Sequence, residues 1–244
     1  GTKTTAVLED GEWVINGSKI FITNGEVADI YIVFAMTDKS AGTRGISAFI
    51  IEKGTPGFSF GPPEKKMGIR GSSTCELVFE DCRIPIGNLL GREGKGFGIA
   101  MSILDGGRIG IAAQALGIAE GAFENTVNYV KERKQFNNPI AKFQNTQFML
   151  AQMKTDIESA RYLVYNAALM KDSGKPYSVE AAMAKLKSSQ VAAEVTRECV
   201  QLHGGYGYIQ SFQVERMMRD AKITEIYEGT SEVMKMVISG SVLR

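Results

Sequence analysis

Glu228 is the residue whose type and setting are best suited to acid–base chemistry. It stands beside Gly229, directly before a predicted helix, where free backbone N–H groups and the helix dipole favour an anion. A carboxylate in this position could accept a proton from a substrate. It could equally be a solvated acid of a surface loop, and the isolated motif leaves both interpretations open.

A second segment, residues 201–208, is dense in glycine and aromatic residues. Its paired glycines, Gly204 and Gly205, would let a backbone approach a phosphate or an adenine closely. The same pair could simply end the preceding helix. Another glycine-rich stretch, residues 94–98, fits neither the dinucleotide-binding spacing nor the P-loop spacing, and it is interpreted as a hinge.

Histidine and cysteine usage excludes several kinds of site. His203 is the only histidine, so mechanisms that need two imidazoles are excluded, and a Ser/His/Asp triad would have to use His203 itself. Cys75, Cys82 and Cys199 lack CxxC spacing, which indicates reduced thiols and gives no sign of a metal site. The search for a general base therefore falls on the carboxylates.

Composition narrows the class of partner. The chain has 244 residues, 44% of them hydrophobic, and its 28 Lys and Arg residues nearly cancel its 27 Asp and Glu residues. No summed charge steers it to nucleic acid or to an anionic membrane. No apolar run approaches the roughly 18 residues of a membrane span, and the start has no signal-peptide pattern. These properties predict a soluble, intracellular globular protein with a small-molecule or protein partner.

Strand patterns occupy the first part of the chain. They are predicted at residues 4–8, 13–16, 19–23, 31–37, 46–52 and 74–79. No helical period interrupts them, so crossover helices are absent and the sheet is expected to be largely antiparallel. It would close as a small barrel or sandwich.

Helical periodicity takes over after residues 91–96. Helices are predicted at residues 97–131, 140–172, 178–202, 212–221 and 230–239. The expected fold class is α+β, with a β-barrel or sandwich domain at residues 1–90 and an up-down helical bundle at residues 91–244.

Five motifs, in order along the chain, resemble the acyl-CoA dehydrogenase family. They are Lys-Ile-Phe-Ile-Thr-Asn-Gly at 19–25, Leu-Asp-Gly-Gly-Arg at 104–108, Glu-Arg-Lys-Gln-Phe at 132–136, the glycine-rich segment 201–207, and the segment 219–230 that contains Glu228. The resemblance covers essentially the whole chain. It is greatest to butyryl-CoA dehydrogenases of bacteria and their short-chain relatives.

The resemblance implies FAD as the cofactor. Phe21 would stack on the isoalloxazine, Ile22 would lie against the flavin ring, and Thr23 would hydrogen-bond near N5. Thr230 and Glu232 would meet the AMP end. Contacts across a subunit interface would come from Arg133, at the pyrophosphate, and from Gln144, Gln201, Gly204 and Gly205. They imply a homo-oligomer, a tetramer of paired dimers. Phe136 is a further predicted FAD contact.

The resemblance also implies the substrate site and the reaction. The thioester pocket would be lined by Asp105, Gly106, Gly107 and Arg108, with Tyr227 and Gly229 flanking the base. Branched-chain and long-chain relatives carry their catalytic glutamate at the position of Gly107, so Glu228 is the family-type base that this chain retains. It would take the pro-R α-proton of a saturated acyl-CoA while the β-hydride passes to flavin N5. The product is the trans-2-enoyl-CoA of fatty acid β-oxidation, and an electron-transferring flavoprotein would reoxidise the flavin.

Two alternatives accompany this assignment. One is an acyl-CoA oxidase of the same fold, in which reduced flavin meets oxygen directly. The other is a truncated, oligomerising flavin-binding fragment without turnover, because family members carry an N-terminal helical domain and a first barrel strand before the part that this chain matches. The isolated chain is therefore expected to hold substoichiometric FAD. The expected compartment is a bacterial cytoplasm, or the mitochondrial matrix in a eukaryote.

Overall fold

A computed structural model describes residues 2–243, which divide into two compact units between Ile103 and Leu104. The first unit is built on a mixed β-sheet and the second is helical. The α+β class expected from the sequence is thereby confirmed. We propose that the functional domain boundary lies near residue 90, where the last strand of the sheet ends.

Seven strands form the sheet of the first unit. They are β1 (Thr5–Glu9), β2 (Glu12–Thr23), β3 (Ile30–Met36), β4 (Ile46–Glu52), β5 (Phe58–Phe60), β6 (Thr74–Pro85) and β7 (Leu89–Leu90). Their order is β5-β6-β2-β1-β3-β4-β7. Every pairing is antiparallel except that of β1 with β3, which are joined in parallel through one pair, Thr5 and Met36. The sheet is thus largely antiparallel, as the sequence predicts, with one parallel pairing.

Two predicted strands, 13–16 and 19–23, are one continuous strand, β2. The register of β2 against β6 shifts between Ile15 and Gly17. The gap between the two predicted strands is therefore a β-bulge within one strand. Gly17 has φ +129°, and a Cβ there would lie 2.8 Å from Thr4 Cα. Only glycine lets β2 approach Thr4 so closely while the pairing continues.

Alternating residues of the strands build the core of the first unit. Ile15, Phe49, Ile51 and Ile84 are completely or almost completely buried. Phe79 also belongs to this core, and its ring stacks on that of Phe58 with the centroids 5.0 Å apart. Period-two burial of this kind fixes the strand register, because a one-residue slip would turn each of these side chains to solvent.

The second unit contains most of α1 and four further helices. The helices are α1 (Gly96–Glu132), α2 (Gln144–Asp172), α3 (Ser178–His203), α4 (Val214–Lys222) and α5 (Ser231–Val242), and a ribbon of β8 (Lys134–Gln135) and β9 (Asn138–Pro139) joins α1 to α2. The helix predicted from residue 140 starts later, because residues 140–142 form a 3-10 turn. Within residues 2–243, none of the helices combines the length and apolarity needed to cross a membrane.

Small side chains form the contact surface of the helical unit. On α1, Ala112, Ala115, Ala119 and Ala122 recur at three- and four-residue spacing and are completely buried. α3 packs against α2, α4 and α5. On α3, the completely buried residues include Ala181, Ala182, Ala184 and Ala192. Small side chains of this kind let the backbone of α3 approach its neighbours closely.

The turn before β5 allows a matched test of this packing. Gly54 and Gly57 both have positive φ, +87° and +80°. A Cβ on Gly54 meets nothing within 4 Å, whereas one on Gly57 would lie 2.3 Å from the Glu80 carbonyl oxygen. We expect Gly54→Ala to lower the free energy of unfolding by about 1 kcal/mol from backbone strain alone. Gly57→Ala should lower it by roughly 3 kcal/mol, because overpacking adds to the strain.

Denaturant unfolding of the two variants checks this prediction. Equal losses at the two positions would show that the contact between Gly57 and β6 is not as tight as described.

Candidate active site

Glu228 lies in a strained turn between two helical segments. The chain leaves α4 through a 3-10 turn, Ile223–Glu225, and enters α5 at Ser231. Between them Glu228 has φ +54° and Gly229 has φ +98°. A glutamate in the left-handed region is uncommon, and such a conformation persists only where its surroundings over-determine it. The contacts around this turn must therefore hold Glu228 in its left-handed conformation.

Two buried cations hold the two carbonyl groups of this turn. Arg108 on α1 is 5% exposed, and its Nε donates to the Glu228 carbonyl oxygen at 3.5 Å. Lys185 on α3 is completely buried, and its Nζ donates to the Gly229 carbonyl oxygen at 2.6 Å. Hydrogen bonds from charged donors are stronger than neutral ones. Both helices therefore fix the backbone on which Glu228 is carried.

Tyr227, the residue before Glu228, is also held by a hydrogen bond. The Tyr227 hydroxyl donates to the Gln114 Oε1 atom on α1. Burial raises the pKa of Tyr227 above its ordinary value, and the hydrogen bond to Gln114 acts in the opposite direction. Tyr227 consequently stays neutral in the physiological range and serves as a donor to α1.

α1 makes room for the Glu228 carboxylate at Gly107. A Cβ on Gly107 would lie 2.6 Å from Glu228 Oε2, closer than side chains approach. Next to it, Arg108 Nη1 donates to Asp105 Oδ1 at 2.7 Å, and that same oxygen accepts from Ser178 Oγ at 3.0 Å. The structure thus brings together the predicted substrate residues of α1 and the predicted base. A glutamate at position 107 and one at position 228 would compete for the same space.

A separate cavity of about 490 Å³ lies where α1 ends and α3 ends. Arg133 lines it, with its guanidinium 5.3 Å from the centroid of the Tyr206 ring. Gly204 and Gly205 line it too, and a Cβ on either would meet nothing within 4 Å. Gln201 completes the predicted residues found there. A guanidinium beside exposed glycine backbone is a donor set suited to a diphosphate, so these residues fit the pyrophosphate of FAD.

His203 serves the architecture of this cavity and does not provide a base. It is 5% exposed, its ring stacks on Tyr129 with centroids 4.1 Å apart, and its Nδ1 donates to the Cys199 carbonyl oxygen at 2.8 Å. Burial lowers the pKa of His203, so the ring is neutral at pH 7. The neutral stacked ring shapes the end of α3 beneath the paired glycines.

In the first unit, Phe21 sits on a bulge near the end of β2. The register shifts between Lys19 and Ile22, and Phe21 has φ +57° with 68% of its surface exposed. Ile22 and Thr23 line a cavity of about 540 Å³. Bulges of this kind re-aim side chains near functional sites. An exposed aromatic ring beside a mostly apolar cavity fits the isoalloxazine part of a flavin.

Four other predicted FAD residues do not line the 490 Å³ cavity. Phe136 is 87% exposed at the ribbon turn, and Gln144 is the exposed first residue of α2. Thr230 is the N-cap of α5 and accepts from the Val233 N–H at 3.4 Å. Glu232 follows, and hydrogen bonds from its own N–H and from Thr230 lower its pKa. These residues remain predicted FAD contacts, and the sequence placed several of the set at a boundary between subunits.

Sequence reasoning did not identify Lys185 or Gln114, whose side chains hold the Glu228 turn. For Lys185 a signal was available. It interrupts a run of small residues on α3 in which Ala181, Ala182, Ala184 and Ser188 are all completely buried. A lysine at helical spacing among buried alanines must find an internal partner. Gln114 is likewise the one polar side chain between Arg108 and Glu120 on α1, so a comparable signal was present there.

Family models match both units of the chain. The acyl-CoA dehydrogenase middle domain matches residues 1–82, and the acyl-CoA dehydrogenase C-terminal domain matches residues 94–243. The chain belongs to the acyl-CoA dehydrogenase family. Enzymes of this family depend on FAD, so the enzyme class and the cofactor expected from the sequence are confirmed at the level of the family.

Several similar proteins carry names that specify a short-chain substrate. The short-chain specific acyl-CoA dehydrogenase of Clostridium acetobutylicum is 65% identical over 99% of this chain and 64% of its own length. The structure of butyryl-CoA dehydrogenase from Megasphaera elsdenii is 60% identical, covering 100% of this chain and 64% of that one, with a TM-score of 0.99.

A third match, at 63% identity with the same coverage and TM-score, is a chain in a structure described as the electron-transferring flavoprotein of Acidaminococcus fermentans. This chain therefore spans about two-thirds of the length of the relatives it matches.

The cavity beside Arg133 yields a binding prediction. Arg133→Ala should weaken FAD binding roughly 10- to 100-fold, the range for losing one hydrogen bond from a charged donor. If the contact also crosses a subunit boundary, the oligomer should loosen with it. Flavin absorbance of the purified protein and sedimentation velocity measure the two effects. Lys131→Ala is the control, since Lys131 is an exposed cation on the last turn of α1, two residues before Arg133. Unchanged occupancy and sedimentation would make Arg133 an ordinary surface charge.

Proposed function

We propose that this protein catalyses the FAD-dependent α,β-dehydrogenation of a short-chain acyl-CoA, such as butyryl-CoA, with Glu228 as the base. The observation that carries the proposal is the position of the Glu228 carboxylate. It fills the space left by Gly107, on a strained turn clamped by α1 and α3. The family membership and the short-chain relatives support the substrate class.

The proposed chemistry breaks two C–H bonds of the acyl chain. The α C–H bond gives its proton to a Glu228 carboxylate oxygen, and its electron pair becomes part of the new Cα–Cβ double bond. FAD, when bound, supplies the acceptor for the hydride that leaves the β-carbon. An α-proton of a thioester is too weakly acidic for a free carboxylate, so the negative charge developing on the thioester oxygen must be stabilised. The Glu228 backbone N–H is the proposed donor from this chain.

The remaining residues are assigned by the chemistry of their surroundings. Arg133, Gly204 and Gly205 would hold the pyrophosphate. Phe21 and Thr23 would border the flavin ring. The resemblance puts several of these contacts across a subunit boundary, so we propose a homotetramer in which the paired subunits complete each other's FAD sites.

The electron acceptor is proposed to be an electron-transferring flavoprotein. The support is the 63% identical chain found in a structure described by that name. The activity of the whole protein, its acyl-chain preference and its compartment, a bacterial cytoplasm or a mitochondrial matrix, are part of this proposal. An oxidase of the same fold would instead react rapidly with oxygen.

Replacement of the base is the direct test of the proposal. Glu228→Gln should retain FAD and bind butyryl-CoA, yet lose the rate of anaerobic flavin reduction by at least about 10³-fold, within the range of general-base removal. Stopped-flow bleaching of the flavin measures it, and Glu194→Gln, an exposed glutamate paired with Arg197 on α3, is the control. A near-normal rate of flavin reduction in Glu228→Gln would contradict the assignment of Glu228 as the base.

Gly107 gives an independent test of the same geometry. A methyl group there must displace the carboxylate, so Gly107→Ala should slow flavin reduction by roughly 100-fold, the cost of a misplacement near 1 Å. Gly110→Ala is the matched control, since a Cβ at Gly110 on the same helix meets nothing within 4 Å. It should keep full activity and gain about 1 kcal/mol of stability from helix propensity. Equal activities of the two variants would show that Gly107 does not limit the position of the base.

Reoxidation kinetics separate the dehydrogenase from the oxidase. After anaerobic reduction by butyryl-CoA, the flavin of a dehydrogenase should react slowly with air and rapidly with an electron-transferring flavoprotein. Rapid reaction with air would assign the oxidase instead.

A further inference from the structure

Lys185 is a completely buried lysine that the family-type chemistry leaves without a role. It lies on α3 among buried small residues, Ala181, Ala182, Ala184 and Ser188. Burying an ammonium group is costly unless it is paired and hydrogen-bonded. Its position therefore calls for a reason other than packing, since a methionine of similar length would fill the same space without a charge.

The one hydrogen bond described for Lys185 goes to the turn that carries the base. Its Nζ donates to the Gly229 carbonyl oxygen at 2.6 Å. Arg108 Nε donates at 3.5 Å to the preceding carbonyl oxygen, that of Glu228. The carbonyl oxygens of Glu228 and Gly229 thus each accept a hydrogen bond from a buried cation, and the two cations belong to different helices. Together these contacts fix both positive-φ residues of the turn.

Charged groups on α1, on the turn around Glu228 and on α5 act on Lys185. Burial lowers its pKa to about 8, and Arg108 on α1 acts in the same direction. Glu225 in the 3-10 turn, Glu228 itself and Glu232 on α5 oppose that shift. The lysine is therefore surrounded by carboxylates that favour its charged form, and a charged donor at neutral pH holds the carbonyl more strongly than a neutral amine would.

We infer that Lys185 is a positioning residue for the proton-transfer step: its ammonium group holds the Gly229 carbonyl and so keeps Glu228 in the left-handed conformation that directs its carboxylate to Gly107. The inference rests on the proposed function, in which Glu228 is the base. Lys185 does not touch the reacting atoms. Its effect is on the backbone of the residue that does, and small displacements of a base are costly in rate.

The test compares three substitutions in the FAD-loaded holoenzyme. Lys185→Met keeps the length of the side chain and removes the donor, whereas Lys185→Arg keeps a charged donor. Lys187→Met is the matched control, since Lys187 lies two residues along the same helix and pairs instead with Asp156 at 3.0 Å. The rate of flavin reduction at saturating butyryl-CoA, the KM, and amide hydrogen exchange of the peptide containing residues 226–230 are measured for each.

Lys185→Met is expected to lower the reduction rate about 100-fold while KM changes less than about 3-fold, because orientation and not binding is lost. Amide exchange over residues 226–230 should become faster, since a restraint on that backbone is removed. Lys185→Arg should restore part of the rate and of the protection, and Lys187→Met should match the unsubstituted protein in all three measurements. The exchange measurement reports on the turn even without turnover.

A wild-type rate and wild-type exchange in Lys185→Met would overturn the inference and leave Lys185 as a space-filling residue. So would slow turnover with unchanged exchange, since the turn would then be intact. If Lys185→Met does not fold, Lys185→Gln, which keeps a neutral donor, decides by the same criteria.

Glu228→Gln separates this inference from the proposed function. If Glu228→Gln is inactive and Lys185→Met is normal, only the role of Lys185 fails. If Glu228→Gln itself reduces flavin normally, the proposed function fails.

Discussion

The site depends on one constraint: a glutamate and a glycine in left-handed backbone conformation, each with its carbonyl oxygen bonded to a buried cation. Arg108 reaches the turn from α1 and Lys185 reaches it from α3. Neither cation could be buried without these acceptors and the nearby carboxylates. The strain of the turn and the burial of the two charges are therefore complementary, since each is tolerated because of the other.

The small-residue packing of the helical unit follows from this requirement. α1 presents Gly107 to the Glu228 carboxylate and alanines to its helical neighbours, which allows it to lie close to the turn without displacing that carboxylate. Asp105 accepts from both Arg108 and Ser178, so the guanidinium is oriented by its own helix and by the start of α3. Hydrogen bonds thus link α1 to the Glu228 turn and that turn to α3. Loss of any one of these bonds would shift the position of the Glu228 carboxylate.

The sequence predicted the class of fold, because strands and helices depend on local patterns. Alternation marked β1, β3 and β4, and helical spacing marked the five helices found in residues 2–243. The candidate base came instead from the family resemblance, since the motif around Glu228 by itself left a solvated surface acid open. The bulges of β2 were harder to foresee, since Gly17 and Phe21 adopt positive φ only in response to pairing with β6 and the approach of Thr4. The contact of Lys185 with Gly229 joins residues 44 positions apart, and no local pattern encodes it.

The most direct measurement is a crystal structure of the holoenzyme with acetoacetyl-CoA, whose α-carbon lies between two carbonyl groups and which cannot complete the dehydrogenation. We expect a Glu228 carboxylate oxygen about 3 to 3.5 Å from that α-carbon, a distance suited to reaction, with the Gly229 carbonyl oxygen still hydrogen-bonded to Lys185. A complex in which the α-carbon faces another side chain, with Glu228 turned away from Gly107, would contradict it.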